Sequence, residues 1–421
     1  MATSSISSSA KNLSHSENPS VLRRIFKALE YRDFRILWMG ACTSSIGTWM
    51  QKLAQSWLVL QLSNSAFYLG LDAFLGEIPI VLFSLIGGVV ADRRERRQML
   101  LLSQIIQMTC AFTLALLFAT NVVRVWHILT LSFFTGLAQA FGGPAYQALL
   151  PSLVNKEDVP NAIAMNSIQF NLARVFGPML GGIALLKFGA AWCFSLNGVS
   201  FVAVVISLLI IRARFVPTHT GESMMNSLKQ GFGFVRQQAA MVSLIALAFS
   251  MTVLGIPLLV FLPVFARNVF HGDANTYTLL LCCSGVGAIV GAMIVAYMGH
   301  FKHQGRAALV MLVILGLLVA GFALSKNLVL SCALLFCGGA ALMAVMATIS
   351  SLVQLVTTDQ MRGRVMSVYN VAFRGGMPIG SLVVGALVPR FTAPIVLSVN
   401  GALLVVLGMY YLLGHRKIAE L

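Results

Sequence analysis

Long runs of apolar residues fill the chain from Phe34 almost to its C-terminus, and short polar stretches separate them. A helix needs about 20 apolar residues to cross a hydrocarbon core of about 30 Å. Lipid offers the backbone no hydrogen-bond partner, and the runs are too long and too continuously apolar for alternating barrel strands. The pattern predicts an all-α membrane protein with twelve spans, at residues 34–60, 67–91, 98–120, 125–150, 161–187, 191–211, 241–267, 275–299, 306–325, 328–355, 362–388 and 393–414.

One long connection divides the predicted spans into two sets of six. Within it, Met225, Leu228, Phe232 and Val235 share a helical face among polar neighbours, which predicts an amphipathic helix on the membrane surface. The predicted domains are a cytoplasmic tail with an interfacial helix (1–33), a six-helix bundle (34–211), a cytoplasmic linker (212–240), a second six-helix bundle (241–414) and a cytoplasmic tail (415–421).

The two predicted bundles share an internal repeat. Residues 167–178, SIQFNLARVFGP, have a serine, an arginine and a proline at the same spacing as residues 367–378, SVYNVAFRGGMP. A repeat at matching positions of two six-helix halves favours a duplication over chance. We therefore expect the bundles to be pseudo-symmetric.

Charge is scarce and unevenly placed. Only 10% of the 421 residues are charged, against about 25% in soluble domains. The net charge of +16 does not indicate nucleic-acid binding, because the basic residues lie at the ends of the apolar runs. Twenty-one of the 29 lysines and arginines fall on the side shared with the N-terminus and five on the other, which predicts that both termini face the cytoplasm.

The stretch GGVVADRRERR, residues 87–97, joins the second and third predicted spans. It matches the G-x-x-x-D-R-x-x-R-R pattern of that loop in the major facilitator superfamily. The chain resembles this superfamily over nearly its full length, and within it bacterial exporters similar to the enterobactin exporter, through SSIGTWMQKLAQSWLVLQLSNSAFYLG, PAYQALLPSLV, NAIAMNSIQFNLARVFGP and MRGRVMSVYN. The residues that match the loop pattern are Gly88, Asp92, Arg93, Arg96 and Arg97.

The resemblance implies that Asp92 acts as a latch, which caps a helix end and pairs with basic groups across the two halves. The arginines could equally anchor the protein to the cytoplasmic surface. Two positions depart from the family pattern: Glu95 stands where glycine is usual, and Tyr146 stands where related exporters commonly have an arginine before Gln147. An arginine-based coupling step therefore cannot be inferred at Tyr146.

The stretch GPMLGG, at residues 177–182, resembles a motif of antiporting members of the superfamily. Small residues let helices approach closely, and a proline interrupts helical hydrogen bonding where a bend could assist rocking. The resemblance favours export, although such packing also occurs in membrane helices that transport nothing. The packing residues are Gly177, Pro178, Gly181 and Gly182.

Ionisable residues inside membrane spans are costly and call for a function or a partner. Glu77 lies about ten residues, or about 15 Å, into its span, near the middle of the membrane. The resemblance places its span against that of Arg374, so the two could form a pair that couples transport to protons, or a permanent ion pair. Lys52 and Asp72 could neutralise each other. The interior set comprises Lys52, Asp72, Glu77, Arg174 and Arg374.

A polar stripe runs along the first predicted span, and such a stripe must face water or protein. The resemblance implies that this span and the fourth line the transport cavity. We expect a substrate path there, or interhelical hydrogen bonds alone. The candidate cavity residues are Gln51, Gln55, Gln139, Tyr146 and Gln147.

Together these features predict a monomeric secondary exporter of amphipathic small molecules, drug-like or siderophore-like, which works by alternating access and proton antiport. A lipid or lysophospholipid transporter is the alternative, and a non-transporting receptor is a further one. The sequence shows no clustered His or Cys ligands, no paired carboxylates and no nucleophile motif, so we expect neither an enzyme nor a metal or other cofactor.

Overall fold

The apolar runs form long helices. The computed structural model describes residues 26–211, 224–299, 302–358, 360–413 and 418. Within this part of the chain the α-helices are α1 (Arg32–Ser63), α2 (Ala66–Arg93), α3 (Arg96–Ala119), α4 (Val125–Leu149), α5 (Val159–Phe188), α6 (Ala190–Ile210), α7 (Met224–Gln237), α8 (Ala239–Gly255), α9 (Pro257–Asn268), α10 (Ala274–Met298), α11 (Gln304–Leu324), α12 (Leu328–Val356), α13 (Arg362–Phe391) and α14 (Ala393–Leu413).

Nine helical segments among the described residues are long and apolar enough to cross a membrane, with α8 and α9 counted together. The helices α1, α4 and α5 are also long, with 32, 25 and 30 residues, but they carry more polar side chains. The chain is therefore a multi-pass, all-helical membrane protein, as the apolar pattern predicts.

The seventh predicted span differs from the prediction, because it is two helices rather than one. Helix α8 ends at Gly255 and α9 begins at Pro257. Proline lacks a backbone N–H and is tolerated in the first turn of a helix, so Pro257 starts a new helix. By contrast, α5 is helical through Pro178, so this proline does not end the helix.

The packing pattern of the first six helices recurs in the later ones. In the first set, α2 packs on α4, α3 on α4 and α6, and α1 on α5. In the later set, α10 packs on α12, α11 on α12 and α14, and α8 on α13. The two sets meet where α2 packs against α13 and where α5 packs against α10.

One end of the helical assembly is closed by contacts between the two sets. There, Arg267 Nη1 donates a hydrogen bond to the carbonyl oxygen of Leu60 at 3.2 Å. Nearby, the rings of Trp57 and Tyr277 stack with their centroids 6.3 Å apart. These contacts hold the C-terminal part of α1 against the end of α9 and the start of α10.

The other end is open. Gln139 and Gln147 on α4 and Gln354 on α12 are exposed there. A cavity of about 370 Å³ opens beside α12 and is lined by Ala347, Ser350, Ser351, Gln354, Leu355 and Arg362. The loop between α2 and α3 lies at this same end, because α2 and α4 run in the same direction: Gly76 packs against Gly136, and Gly87 packs against Ala140 further along both helices.

The predicted linker contains the helix α7, in which Val235 is buried and Phe232 is exposed. Gly231 lies against the carbonyl oxygen of Arg364 at the start of α13, which anchors this helix to the assembly. The side chains of Met225 and Leu228 lie outside the described residues, as do residues 1–25, 212–223 and 414–417.

Candidate functional site

A group of three charges occupies the middle of the helical assembly. Glu77 on α2 lies 3.8 Å from Lys52 on α1 through Oε1, and 3.8 Å from Arg374 on α13 through Oε2. The Glu77 side chain is 17% exposed, whereas the side chains of Lys52 and Arg374 are 55% and 50% exposed. The carboxylate is thus enclosed while both cations reach open space.

The geometry of these pairs is loose. Charge-assisted hydrogen bonds between nitrogen and oxygen usually measure about 2.7–2.9 Å, shorter than either contact of Glu77. An unpaired carboxylate at mid-membrane costs about 2.5–3.5 kcal/mol on insertion scales, so two nearby cations offset a cost of this size without locking Glu77 to either. The Glu77–Arg374 contact joins the first set of helices to the second and can break without leaving the carboxylate alone.

Asp72 belongs to a separate cluster of hydrogen-bonded side chains. Gln55 Nε2 donates to both carboxylate oxygens of Asp72, at 3.0 and 2.9 Å, and Ser132 Oγ donates to Oδ1 at 2.5 Å. Asp72 is buried among α1, α2 and α4. Lys52 forms its ion pair with Glu77, whereas the oxygens of Asp72 accept hydrogen bonds from amide and hydroxyl donors.

The polar stripe of α1 extends this cluster to α6. Gln51 Nε2 donates to Gln55 Oε1 at 3.4 Å, and Asn197 Nδ2 donates to Gln51 Oε1 at 2.7 Å. Gln51 and Gln55 therefore take part in the interhelical hydrogen bonding that the sequence left open as an alternative. Sequence reasoning missed Ser132 and Asn197. The asparagine could have been identified, because it is a polar amide within an apolar run.

The other candidate cavity residues lie on α4. Gln139 and Gln147 are exposed toward the open end, and Gln139 Oε1 accepts a hydrogen bond of 3.4 Å from Gln107 Nε2. The Tyr146 hydroxyl donates to Asn166 Oδ1 on α5 at 3.0 Å. These side chains give one wall of the open end a polar surface that contains both hydrogen-bond donors and hydrogen-bond acceptors.

The glycines of the GPMLGG stretch allow close helix packing. A side chain at Gly177 would meet Trp49, and one at Gly181 would meet Met50, both on α1. A side chain at Gly182 would meet Thr278 on α10. Small residues at these positions bring α5 against α1 on one face and against the second helix set on another, while Pro178 is buried within α5.

The arginines of the loop between α2 and α3 bind the ends of other helices. Arg96 Nη1 donates to the carbonyl oxygen of Ala148 near the end of α4, and Arg97 Nη2 donates to that of Leu209 near the end of α6, each at 3.0 Å. Cations are favourable at helix C-termini, where carbonyl groups lack helical partners. Arg93 is exposed, Gly88 is partly buried within α2, and the Asp92 side chain lies outside the described residues.

A further acidic site at this end was missed by sequence reasoning. Asp158, before α5, binds Lys27 Nζ at 2.8 Å and accepts a hydrogen bond of 2.6 Å from the Tyr31 hydroxyl. These two donors hold the pKa of Asp158 below its usual value, and the contact with Asp158 raises the pKa of Lys27 and of Tyr31. The cluster fixes the segment before α1 to the loop between α4 and α5.

Comparison with known proteins gives a consistent set of relatives. The family model described as transmembrane secretion effector matches residues 25–418. An enterobactin exporter from Citrobacter koseri is 27% identical over 391 residues, which cover 90% of this chain and 91% of that protein. A staphyloferrin A transporter from Staphylococcus aureus is 23% identical over 385 residues, covering 89% of this chain and 94% of that protein.

Among solved structures, the chain is similar to a bacterial homologue of the human lysosomal transporter Spinster in an inward-facing, unoccupied conformation. The TM-score is 0.73 at 14% sequence identity, and the match covers 92% of this chain and 97% of that one. At this identity the likeness shows a common fold.

Proposed function

Because this chain belongs to the transmembrane secretion effector family of the major facilitator superfamily, it is a secondary transporter and not an enzyme, and we propose that it exports amphipathic, siderophore-like molecules. The resemblance that the loop after α2 indicates is thereby confirmed. The relatives that are named as an enterobactin exporter and a staphyloferrin A transporter support the choice of substrate class.

The proposed architecture has twelve spans in two six-helix bundles. The first bundle comprises α1–α6, and the second comprises α8–α14, with α8 and α9 as one broken span and α7 as the cytoplasmic linker. The recurring packing pattern supports this division. We place the chain in a bacterial inner membrane as a monomer. Both termini would face the cytoplasm, because most basic residues lie on that side.

This orientation makes the open end cytoplasmic and the closed end external. Gln139, Gln147 and the cavity beside α12 would then admit substrate from the cytoplasm. Export requires that the closed end opens while the cytoplasmic end closes, as in alternating access. Asp92 would latch the cytoplasmic end, and Arg96 and Arg97 would keep the ends of α4 and α6 in place for it.

The position of Glu77 between Lys52 and Arg374 is the observation that best supports proton coupling. Lys52 belongs to the same bundle as Glu77, whereas Arg374 belongs to the other. A carboxylate keeps its charge beside two cations, and it can take up a proton when rocking moves Arg374 away. Proton binding and bundle movement would thus depend on each other through one contact.

Uptake into inverted membrane vesicles tests the function. Vesicles that contain the full chain are given a siderophore, a cationic drug or a lysolipid, with and without an imposed pH gradient. We expect gradient-dependent accumulation of the siderophore. Accumulation of the lysolipid alone would replace this function with lipid transport, and binding without flux would indicate a receptor.

The variant Glu77→Gln tests the coupling step. It keeps the shape of the side chain but removes the charge, so we expect siderophore uptake to lose its dependence on the pH gradient. Glu157→Gln is the matched control, because Glu157 is exposed in the loop before α5. Driven uptake by Glu77→Gln at the wild-type level would overturn proton coupling through this residue.

A further inference from the structure

The two bundles meet at two corresponding places, α2 against α13 and α5 against α10. The N-termini of α2 and α10 give the first point of correspondence. Ser65 and Asp273 are N-caps whose side chains accept backbone hydrogen bonds at the starts of these two helices. The helices α2 and α10 therefore begin at equivalent positions, and Ser65 corresponds to Asp273 in the repeat.

Two close approaches of the backbone give the same register. Gly136 of α4 lies against the backbone of Gly76, and Gly339 of α12 lies against the backbone of Ser284. Gly76 and Ser284 are as far apart in sequence as the two N-caps, so they too are equivalent. The residue that follows Gly76 is Glu77, and by this register its equivalent is Gly285.

The contacts between the bundles agree with this register. Gly70 of α2 lies against Ser381 of α13, and Gly182 of α5 lies against Thr278 of α10. Gly70 and Thr278 stand the same distance after the N-caps of their helices. The two places where the bundles meet therefore correspond to within one residue.

The arginines at the two contacts correspond through the internal repeat. Arg174 of α5 and Arg374 of α13 hold the same place in matching sequence stretches. Where α2 meets α13, Arg374 has the carboxylate of Glu77 as its partner. Where α5 meets α10, a side chain at Gly285 would lie near Val175 and the carbonyl oxygen of Arg174, but glycine provides none. The second contact has kept its cation and lacks the acid.

Arg174 has neither an ion pair nor a hydrogen bond among the residues that the structure describes, although it is partly buried. It lies one turn before Gly177, on the face of α5 that packs on α1. Three cations and two carboxylates make up the ionisable set inside the spans, so the region has one uncompensated positive charge. A lone charge at this depth is energetically costly, and binding of an anion would offset that cost.

We propose that Arg174, at the contact where Gly285 stands in place of an acid, forms an anion subsite that binds the carboxylate, or a similar anionic oxygen group, of the exported molecule. The guanidinium group presents several N–H donors in a plane, which suits two oxygens of one acidic group. The substrate acid takes the place that Glu77 occupies at the other contact. That the bound anion belongs to the exported molecule rests on the proposed export function. The preference of the subsite for anions does not rest on it.

Binding to the purified full chain in nanodiscs tests the subsite without any transport step. The probes are 1-pyrenebutyrate and its uncharged amide, which share one amphipathic body and differ in charge. A charge-assisted hydrogen bond contributes about 1.5–3 kcal/mol, so Arg174→Gln should lower the preference for the acid by about 10-fold to 100-fold. Lys187→Gln, an exposed position at the end of the same helix, is the control. An unchanged preference in Arg174→Gln would overturn the subsite.

A second pair of variants keeps the test valid if Arg174→Gln folds poorly. Arg174→Lys retains the charge but not the planar set of donors, so it should keep part of the preference. Gly285→Glu installs a carboxylate at the position that corresponds to Glu77, in a Val175→Ala background because a side chain at Gly285 would meet Val175, and it should lose the preference for the acid. Binding of the acid by Gly285→Glu as strongly as by the wild-type chain would contradict the proposal. Acid preference without siderophore flux would instead overturn the export function and leave the subsite standing.

Discussion

Asp72 in the first bundle and Leu280 in the second occupy corresponding positions on α2 and α10, yet one is charged and the other is apolar. The same holds for the two neighbours of Asp72, because Gln55 corresponds to Leu258 and Ser132 corresponds to Leu335. All three leucines are buried. The first bundle thus has a hydrogen-bonded polar cluster where the second has an apolar core.

Two asparagines show that the surrounding scaffold is nevertheless shared. Asn197 Nδ2 donates to Gln51 Oε1 at 2.7 Å, and Asn400, its counterpart on α14, donates to the carbonyl oxygen of Leu254 at 3.1 Å. Leu254 corresponds to Gln51 and lies just before the break at Pro257. Packing geometry has been kept in both bundles, whereas buried polar chemistry is concentrated in the first.

The largest effect is expected from making the first bundle resemble the second at one position. Asp72→Leu removes the acceptor of Gln55 and Ser132, and each unsatisfied buried donor costs about 1–3 kcal/mol, so we expect a loss of about 2–5 kcal/mol in stability. Thermal unfolding in detergent measures the change. The triple variant Gln55→Leu, Asp72→Leu, Ser132→Leu should recover much of the loss, and a triple variant as unstable as Asp72→Leu would contradict this account.

A smaller effect distinguishes the two corresponding contacts between the bundles. A methyl group at Gly70 would meet the carbonyl oxygen of Ser381, and one at Gly182 would meet the side chain of Thr278. Overpacking costs about 1–3 kcal/mol, so Gly70→Ala and Gly182→Ala should both lower the melting temperature.

Removal of the obstructing side chain separates these two variants. Thr278→Ala should restore much of the melting temperature of Gly182→Ala, because it removes the Oγ1 and Cγ2 atoms that the new methyl meets. Ser381→Ala should not rescue Gly70→Ala, because the obstacle is the backbone. Equal rescue of both variants would show that the contacts are not of these two kinds.

The two asparagines should differ by a still smaller amount. Asn197→Leu removes the donor to Gln51 Oε1 and the side-chain acceptor of Ser200 Oγ, and we expect a loss of about 1–2 kcal/mol. Asn400→Leu removes one bond to a carbonyl oxygen, and we expect about 1 kcal/mol. Melting temperatures of both variants, measured side by side, check the order; the reverse order would show that the break in the seventh span depends on Asn400.

The smallest effect concerns the Asp158 cluster, which belongs to the first bundle. The pKa of Asp158 is lowered in the folded protein by Lys27 and Tyr31. Its contribution to stability is therefore present above the unfolded pKa of about 3.9 and is lost as the pH falls through the lower, folded value. Asp158→Asn should reduce the fall in melting temperature between pH 6 and pH 3. An identical pH profile for both proteins would contradict the prediction.

The sequence by itself determined the class of protein and the positions of its interior charges. Apolar runs of about 20 residues can satisfy their backbone in lipid only as helices, which fixes an all-helical membrane protein. An ionisable residue in such a run stands out, so Glu77, Arg174 and Arg374 were identifiable without a structure. The matching stretches around Arg174 and Arg374 likewise indicated the duplication.

Only the tertiary structure decided which of these groups meet. Position along a helix follows from the sequence, but the rotation of each helix depends on packing against its neighbours, and glycines such as Gly177 and Gly182 set that packing. For this reason Lys52 contacts Glu77 rather than Asp72, and Gly285, which corresponds to Glu77, packs against Val175 and the backbone of Arg174. The absence of an acid at Gly285 has no signature in the sequence, because it becomes apparent only when α5 and α10 are placed side by side.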